Sequence, residues 1–223
     1  MSPELTLIVI RFVALLPALT FHEFAHAYSA YRFGDMTPKM QGRVSLNPLV
    51  HLDVAGTLMI LFGPFGWAKP VQVNPHNFRD PAKHMMISTA LGPIANITQG
   101  TLCALVLRAY LIVSPLDPLK GSALVSVLTM LVIINFALAF FNLIPLGPLD
   151  GHEVLRYFLP YEAKVKYHHF NSRYGMFCLF GLLLLPMFGG PFLLRWWITP
   201  GLKLGGLIAG GDLYEILGFA LSP

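Results

Sequence analysis

The chain has 223 residues, of which 55% are Ala, Val, Ile, Leu, Met, Phe, Trp, Tyr or Cys and only 12% are Asp, Glu, Lys or Arg. Its mean hydropathy is +0.64. Soluble domains carry about a quarter charged residues, so this balance excludes an ordinary soluble domain and indicates helices solvated by lipid. The formal net charge of +4 is what basic cytoplasmic loops produce, and no nucleic-acid motif accompanies it, so nucleic acid is not an expected partner. Cys103 and Cys178 lie in separate apolar runs and make neither a Cys-x-x-Cys pair nor a disulfide framework.

In chain order, the first helix is predicted from about Glu4 to Phe33, with Gly34-Asp35 stopping it. It is not a secretory signal, because Glu4 stands where a basic n-region belongs. The apolar run also leads straight into His22-Glu23-Phe24-Ala25-His26. Two imidazoles four residues apart share one helix face and can reach one metal ion, while Glu23 stands beside them as a general base. Arg32, Lys39 and Arg43 follow, which puts this helix end on the cytoplasmic side. The histidines then lie about 10 to 16 Å before that end, at 1.5 Å per residue.

Leu46 to Trp67 is apolar but interrupted by Pro48, His51, Asp53, Gly56, Gly63, Pro64 and Gly66, a pattern for a short or re-entrant helix. His51 and Asp53 are candidates there for gating the site or for capping. Pro70 to Pro75 alternates apolar and polar residues between prolines, as an exposed edge strand does. Such an edge could pair with an extended peptide through Val71, Gln72 and Val73. Arg79 and Lys83 return the chain to the cytoplasmic side. A second span is predicted from about His84 to Val113, an outer loop from Ser114 to Gly121, and a third span from Ser122 to about Leu146. Arg156, Lys164, Lys166 and Arg173 form the strongest cytoplasmic basic cluster, and a fourth span runs from Tyr174 to Phe188. The tail from Gly189 to Pro223 adds a further helix, with Trp196-Trp197 as interfacial anchors and Gly206 to Gly210 for close packing. The expected architecture is an all-α polytopic membrane bundle of about four to six transmembrane or re-entrant helices with a short β-like edge. It forms a single unit over residues 1–223, with a core at about 4–156 and C-terminal helices at about 174–223.

The His-Glu-x-x-His string supplies two metal ligands and needs a third, leaving one position for water. The best candidate is Asp150, which follows Asn142-Leu-Ile-Pro145-Leu-Gly-Pro148-Leu149 at the end of the third span. An ionisable residue there calls for a partner, and a metal ion is a sufficient one. A helix-capping Asp150, and His152 as a rival ligand, are the competing readings, with His152 expected on a surface loop. His168-His169 are expected to be solvated.

These segments together resemble the site-2 protease family of intramembrane zinc metalloproteases. The resemblance rests on His22, Glu23 and His26, on Gly92-Pro93-Ile94-Ala95-Asn96, and on Asn142, Pro145, Leu149, Asp150 and Gly151, and covers about Thr20 to Arg156. The stretch Gly66 to Val71 is similar to the β-like segment with which the family holds an extended substrate. The resemblance implies that His22, His26 and Asp150 bind Zn2+ and that Glu23 is the base and acid. It also implies that Asn142 steadies the oxyanion or the unwound substrate; a packing hydrogen bond between helices is the competing reading of Asn142. Asn96 and Gly92 are read as structural residues of their helix, and Asn96, with Val71, Gln72 and Val73, is the candidate to meet substrate. The expected member is compact and prokaryotic in type, without a PDZ-like region or a CBS-type nucleotide-sensing domain. It would be a multi-pass protein of the cell membrane, with its site toward the cytoplasm, and its partners would be the lipid bilayer and a single-pass membrane protein or signal-peptide remnant. Two other readings stay open: a metal-binding transporter or scaffold without proteolysis, and a zinc hydrolase acting on lipid-linked small molecules. An intact Glu23 weighs against the transporter, which needs ligands but no base.

Overall fold

Long apolar runs with few breakers dictate the helices, and in a computed structural model ten α-helices account for most of residues 3–62, 67–114 and 122–221, the residues described here. The expected outer loop after Ser114 and part of the expected re-entrant segment, residues 63–66, lie outside the described residues. Helix α1 (Pro3–Arg32), α4 (Pro81–Val113) and α5 (Ala123–Asn142) are each long and apolar enough to cross a membrane. At 1.5 Å per residue even α5 reaches about 30 Å, the thickness of the hydrocarbon core. A fourth crossing exists if the bent pair Tyr161–Phe188 and Leu193–Ala209, which meet at 100°, is one broken span.

These three helices form the centre, α4 packing on both α1 and α5. Their contacts are built from small residues: Ala14, Ala18, Ala27 and Ala30 of α1 and Ala104 of α4 are all fully buried. Such residues let helix backbones approach closely, which is how helices associate where lipid offers no hydrophobic contrast. Outward, Leu102, Leu105, Val106 and Ile112 of α4 are exposed, as a lipid-facing surface requires. Helix α9 (Leu193–Ala209) lies on α5, with Gly201 against the Phe140 ring and Gly205 against Phe136. Thus Gly201 and Gly205, more than the expected Gly206 to Gly210, make the close contact.

The short elements sit around one end of this core. Helix α2 (Thr37–Met40) follows the end of α1, and α3 (Val54–Phe62) is the short helix expected after Leu46. Asp53 caps α3, its Oδ1 accepting from Gly56 N at 2.8 Å. Residues 67–73 run extended, yet no strand forms among the described residues. One antiparallel bridge, Leu52 to Ala68, is the only β pairing there. The expected edge strand is corrected accordingly: Pro70 and Pro75 lack N–H groups, and the amides of Val71 and Asn74 bond to Glu23 and Asp35 instead of a neighbouring strand.

Helix α6 (Asp150–Phe158) packs on α4 and is followed by α7 (Tyr161–Phe170), a π-turn at Asn171–Gly175 and α8 (Met176–Leu184). The fourth helical rod therefore begins at residue 161, not at Tyr174. Lys164 and Lys166 of the cytoplasmic basic cluster lie on α7, where Lys166, His168 and His169 are exposed. The tail holds two helices, α9 and α10 (Leu213–Leu221), where one was expected. His152 is buried on α6 rather than exposed on a loop.

Candidate metal centre

His22, His26 and Asp150 converge at the junction of α1, α4 and α6. The two Nε2 atoms are 3.0 Å apart, and Asp150 places Oδ2 at 3.3 Å from His22 Nε2 and Oδ1 at 3.4 Å from His26 Nε2. Zinc bonds of about 2.0 to 2.1 Å in a tetrahedron put neighbouring ligand atoms about 3.3 Å apart, so this spacing is that of a zinc shell.

The tautomers point the same way. His22 Nδ1 donates to Asn96 Oδ1 at 2.7 Å. The amide orientation is set because Asn96 Nδ2 donates to Ala18 O at 3.0 Å and to Asn135 Oδ1 at 2.9 Å. His26 Nδ1 donates to Ser88 O at 2.8 Å. With a proton on each Nδ1, both Nε2 atoms carry lone pairs, and they face a carboxylate whose buried Oδ2 has no hydrogen-bond donor. Three electron-rich atoms at contact distance call for a cation among them, and a metal ion supplies one. The donor set of two imidazoles and one carboxylate suits zinc, which would be held by His22, His26 and Asp150 with one position left for water.

Local sequence chemistry builds this cradle. The i, i+4 spacing brings the two rings to one face of α1, where they meet edge to face. Gly92 of α4 lies directly against them: a Cβ there would fall 2.3 Å from His26 Nε2 and 2.8 Å from His22 Cε1. Gly151 explains its place after Asp150 in the same way, since a Cβ would fall 2.3 Å from Leu143 O and 2.5 Å from Ile144 O. The start of α6 is thus pressed onto the chain leaving α5, and Asp150 is its first residue. The turn between them is held from α7 and the π-turn after it: Tyr167 Oη donates to Pro145 O at 2.7 Å, and Asn171 Oδ1 accepts from Gly147 N at 2.8 Å.

Glu23 is 8% exposed and turns toward the extended segment. Its Oε2 accepts from Val71 N at 3.1 Å and lies 3.6 Å from the Arg43 guanidinium. Of the substrate residues expected, Val71 and Val73 are half-buried and Gln72 is exposed, its side-chain oxygen taken by Gln41 Nε2 at 2.8 Å. Asn96 is fully buried behind His22, which places it as the ligand's partner rather than on a surface open to substrate. Asn142 ends α5 with one N–H donated to Leu138 O at 3.0 Å. Ser88, Arg43, Tyr167 and Asn171 were not singled out in the sequence as parts of the site. A second group, His152, Glu153 and His168, also lies within ligand distance, but the Arg156 guanidinium already bridges Glu153 at 2.7 Å and His168 at 3.2 Å.

The family model described as Peptidase family M50 matches residues 84–185, which include Asp150 but not the His22–His26 helix. A protein of Bacillus subtilis (strain 168) named "Putative zinc metalloprotease YwhC" is 35% identical over 180 residues, covering 78% of this chain and 80% of that protein. "Putative zinc metalloprotease Rip2" of Mycolicibacterium smegmatis (strain ATCC 700084 / mc(2)155) is 30% identical over 146 residues, 63% of this chain and 53% of that one. Its counterpart in Mycobacterium tuberculosis (strain ATCC 25618 / H37Rv) is 27% identical over 182 residues, 79% of this chain and 67% of that protein. No solved structure gives a significant match. The chain belongs to peptidase family M50, the site-2 protease family. It is an integral membrane zinc metalloendopeptidase.

Proposed function

We propose that this protein hydrolyses a peptide bond within or near a transmembrane segment, its substrate being a single-pass membrane protein or a remnant signal peptide. The observation that carries this reading is the convergence of His22, His26 and Asp150, with Glu23 between the two histidines, on helices apolar enough to span the membrane. On this reading the protein lies in a prokaryotic cell membrane with its site toward the cytoplasm, because Arg32, Lys39 and Arg43 follow α1.

Bound zinc would supply polarisation of the scissile carbonyl and activation of a water. Glu23 takes the proton from the attacking water as its oxygen bonds to the carbonyl carbon, and then returns that proton to the amine nitrogen as the C–N bond breaks. Asn142, with its second N–H, is the proposed donor to the developing oxyanion. A helical substrate hides its amides, and each backbone group freed in lipid costs several kcal/mol unless paired. The Val71 carbonyl and the backbone groups of Gln72 and Val73 are the proposed partners of the unwound chain, the Val71 N–H being held by Glu23.

The deciding experiment measures zinc content and cleavage of a panel of single-pass helices in detergent for the native protein, Glu23→Gln and Asp150→Ala. One zinc per chain is expected in the native protein and in Glu23→Gln, with cleavage absent from the latter. Asp150→Ala is expected to lose both. Zinc bound with no helix cleaved by the native protein would favour a metal-binding transporter or scaffold and overturn the reading.

A further inference from the structure

Arg43 is a buried cation that the mechanism above does not use. It is 3% exposed, and its position follows from the turn after α2, where its own amide bonds to Pro38 O at 2.8 Å. The guanidinium reaches four groups at once. Nη2 lies 3.6 Å from Glu23 Oε2 and donates to Lys69 O, while Nη1 donates to Pro70 O at 3.4 Å. Nη2 also meets His51 Nδ1 at 3.4 Å. His51 Nε2 donates to Ser45 O at 2.7 Å, so Nδ1 is the ring's acceptor and His51 backs the guanidinium as a neutral group.

We propose that Arg43 is a positioning residue for the catalytic base, holding the Glu23 carboxylate and the backbone at Lys69 and Pro70 as one unit. The inference rests on Glu23 being the base. Three physical points support it. A carboxylate as buried as Glu23 is costly without a charge partner, and Arg43 is the cation in contact with it. The two carbonyls taken by Arg43 immediately precede Val71, whose N–H donates to the same Glu23 oxygen. The guanidinium therefore fixes both the carboxylate and the peptide that touches it. Both contacts fall on Oε2, which leaves Oε1 to serve the attacking water. Lysine could supply the charge but not the rigid fork that spans two carbonyls and a carboxylate.

The same arrangement makes the extended segment and the base move together. A segment that receives substrate beside the base is useful only if the scissile bond arrives in register with the reacting groups, and a misplacement of about 1 Å can cost a hundredfold in rate. Arg43 thus links substrate seating to proton transfer without touching substrate itself.

The test uses full-length protein in detergent with a single-pass helix that the native chain cleaves, and compares Arg43→Gln, Arg43→Lys and Glu23→Gln by zinc per chain, kcat and KM. If Arg43 positions the base, Arg43→Gln keeps one zinc per chain and a KM within about threefold of native, while kcat per bound zinc falls about ten- to a hundredfold. Arg43→Lys is expected to fall between Arg43→Gln and native. A purely structural role lowers zinc content and activity in step and leaves kcat per bound zinc unchanged, which overturns the proposal. Should Arg43→Gln fail to fold, Arg43→Lys decides: native kcat overturns the proposal, and a reduced kcat per zinc sustains it. Native kcat in Arg43→Gln beside an inactive Glu23→Gln sinks this inference alone, whereas an active Glu23→Gln sinks the base assignment beneath it.

Discussion

His22 Nδ1 donates to Asn96 Oδ1 across 2.7 Å, tying the metal face of α1 to the middle of α4 through two residues 74 positions apart in the chain. The bond sets the tautomer that presents Nε2 to a metal, and it orients the ring. Asn96→Ala is therefore expected to weaken zinc binding about 10- to 100-fold. A competition titration against a chelator of known affinity measures this. Unchanged affinity would mean that His22 holds its tautomer without Asn96.

Gly92 supports the same face sterically. In Gly92→Ala the new methyl would occupy space within 2.3 to 2.8 Å of both imidazoles, and α4 cannot withdraw because its other contacts to α1 and α5 hold it. The rings must move off the ligand positions. Zinc content should drop well below one per chain while far-ultraviolet circular dichroism stays native, since only side chains on one face are displaced. A Gly92→Ala protein that binds zinc at native affinity would show that the cradle is looser than the packing indicates.

The reactive residues were legible in the sequence because their chemistry is written in spacing. His22, Glu23 and His26 share one turn of helix, and Asp150 is a charge beside an apolar run. The partners that orient them were not, because they come from elsewhere in the chain: Ser88 contributes a backbone carbonyl, to which side-chain identity gives no clue. Asn96 was visible as a polar residue in an apolar span, the signal that could have marked it as a ligand's partner. Arg43 was visible only as one more loop cation, since topology accounts for such a residue as readily as burial does. The extended segment at 69–74 was recognisable by alternation, but alternation cannot tell that the Val71 and Asn74 amides bond to carboxylates instead of a strand. Likewise α7 was hidden by its own cations, which suit a cytoplasmic loop and an exposed helix face equally.

Asp35 gives the site a pH limit on its acid side. Burial by itself would raise its carboxyl, but hydrogen bonds from the Asn77 side chain, the Thr37 hydroxyl and the amides of Asn74 and Thr37 outweigh burial and hold it below the usual carboxylate range. A lowered folded-state value means that the stability it contributes is fully present above the unfolded value, about 3.9, and is lost as pH falls through the folded one. The segment that leads from Val71 to α4 should therefore loosen below about pH 4. Hydrogen exchange at the Asn74 amide, followed from pH 6 downward, reads this directly. Asp35→Asn should exchange fast throughout and show no such acid transition, and an Asn74 amide whose protection is the same in both proteins would refute the assignment.

The last constraint on the metal lies outside its ligands. Asp150 depends on the turn that precedes it, and that turn is held by Tyr167 of α7 on Pro145 O and by Asn171, just after α7, on Gly147 N. Gly147 is followed by Pro148, which has no N–H, so Asn171 satisfies the amide donor available at that point of the turn. Asn171→Ala leaves a partly buried amide without its acceptor, a cost of about 1 to 3 kcal/mol, whereas Tyr167→Phe removes a donor from a carbonyl and costs about 1 kcal/mol. If the turn positions Asp150, part of each cost is transmitted to the metal. Zinc affinity is expected to fall in both variants, by up to about tenfold and more in Asn171→Ala. The doubly substituted protein should fall less than the product of the two, because both bonds restrain one short turn. Chelator competition on the three proteins measures this. Native zinc affinity in the double variant would mean that Gly151, by its contact with the end of α5, positions Asp150 without help from α7.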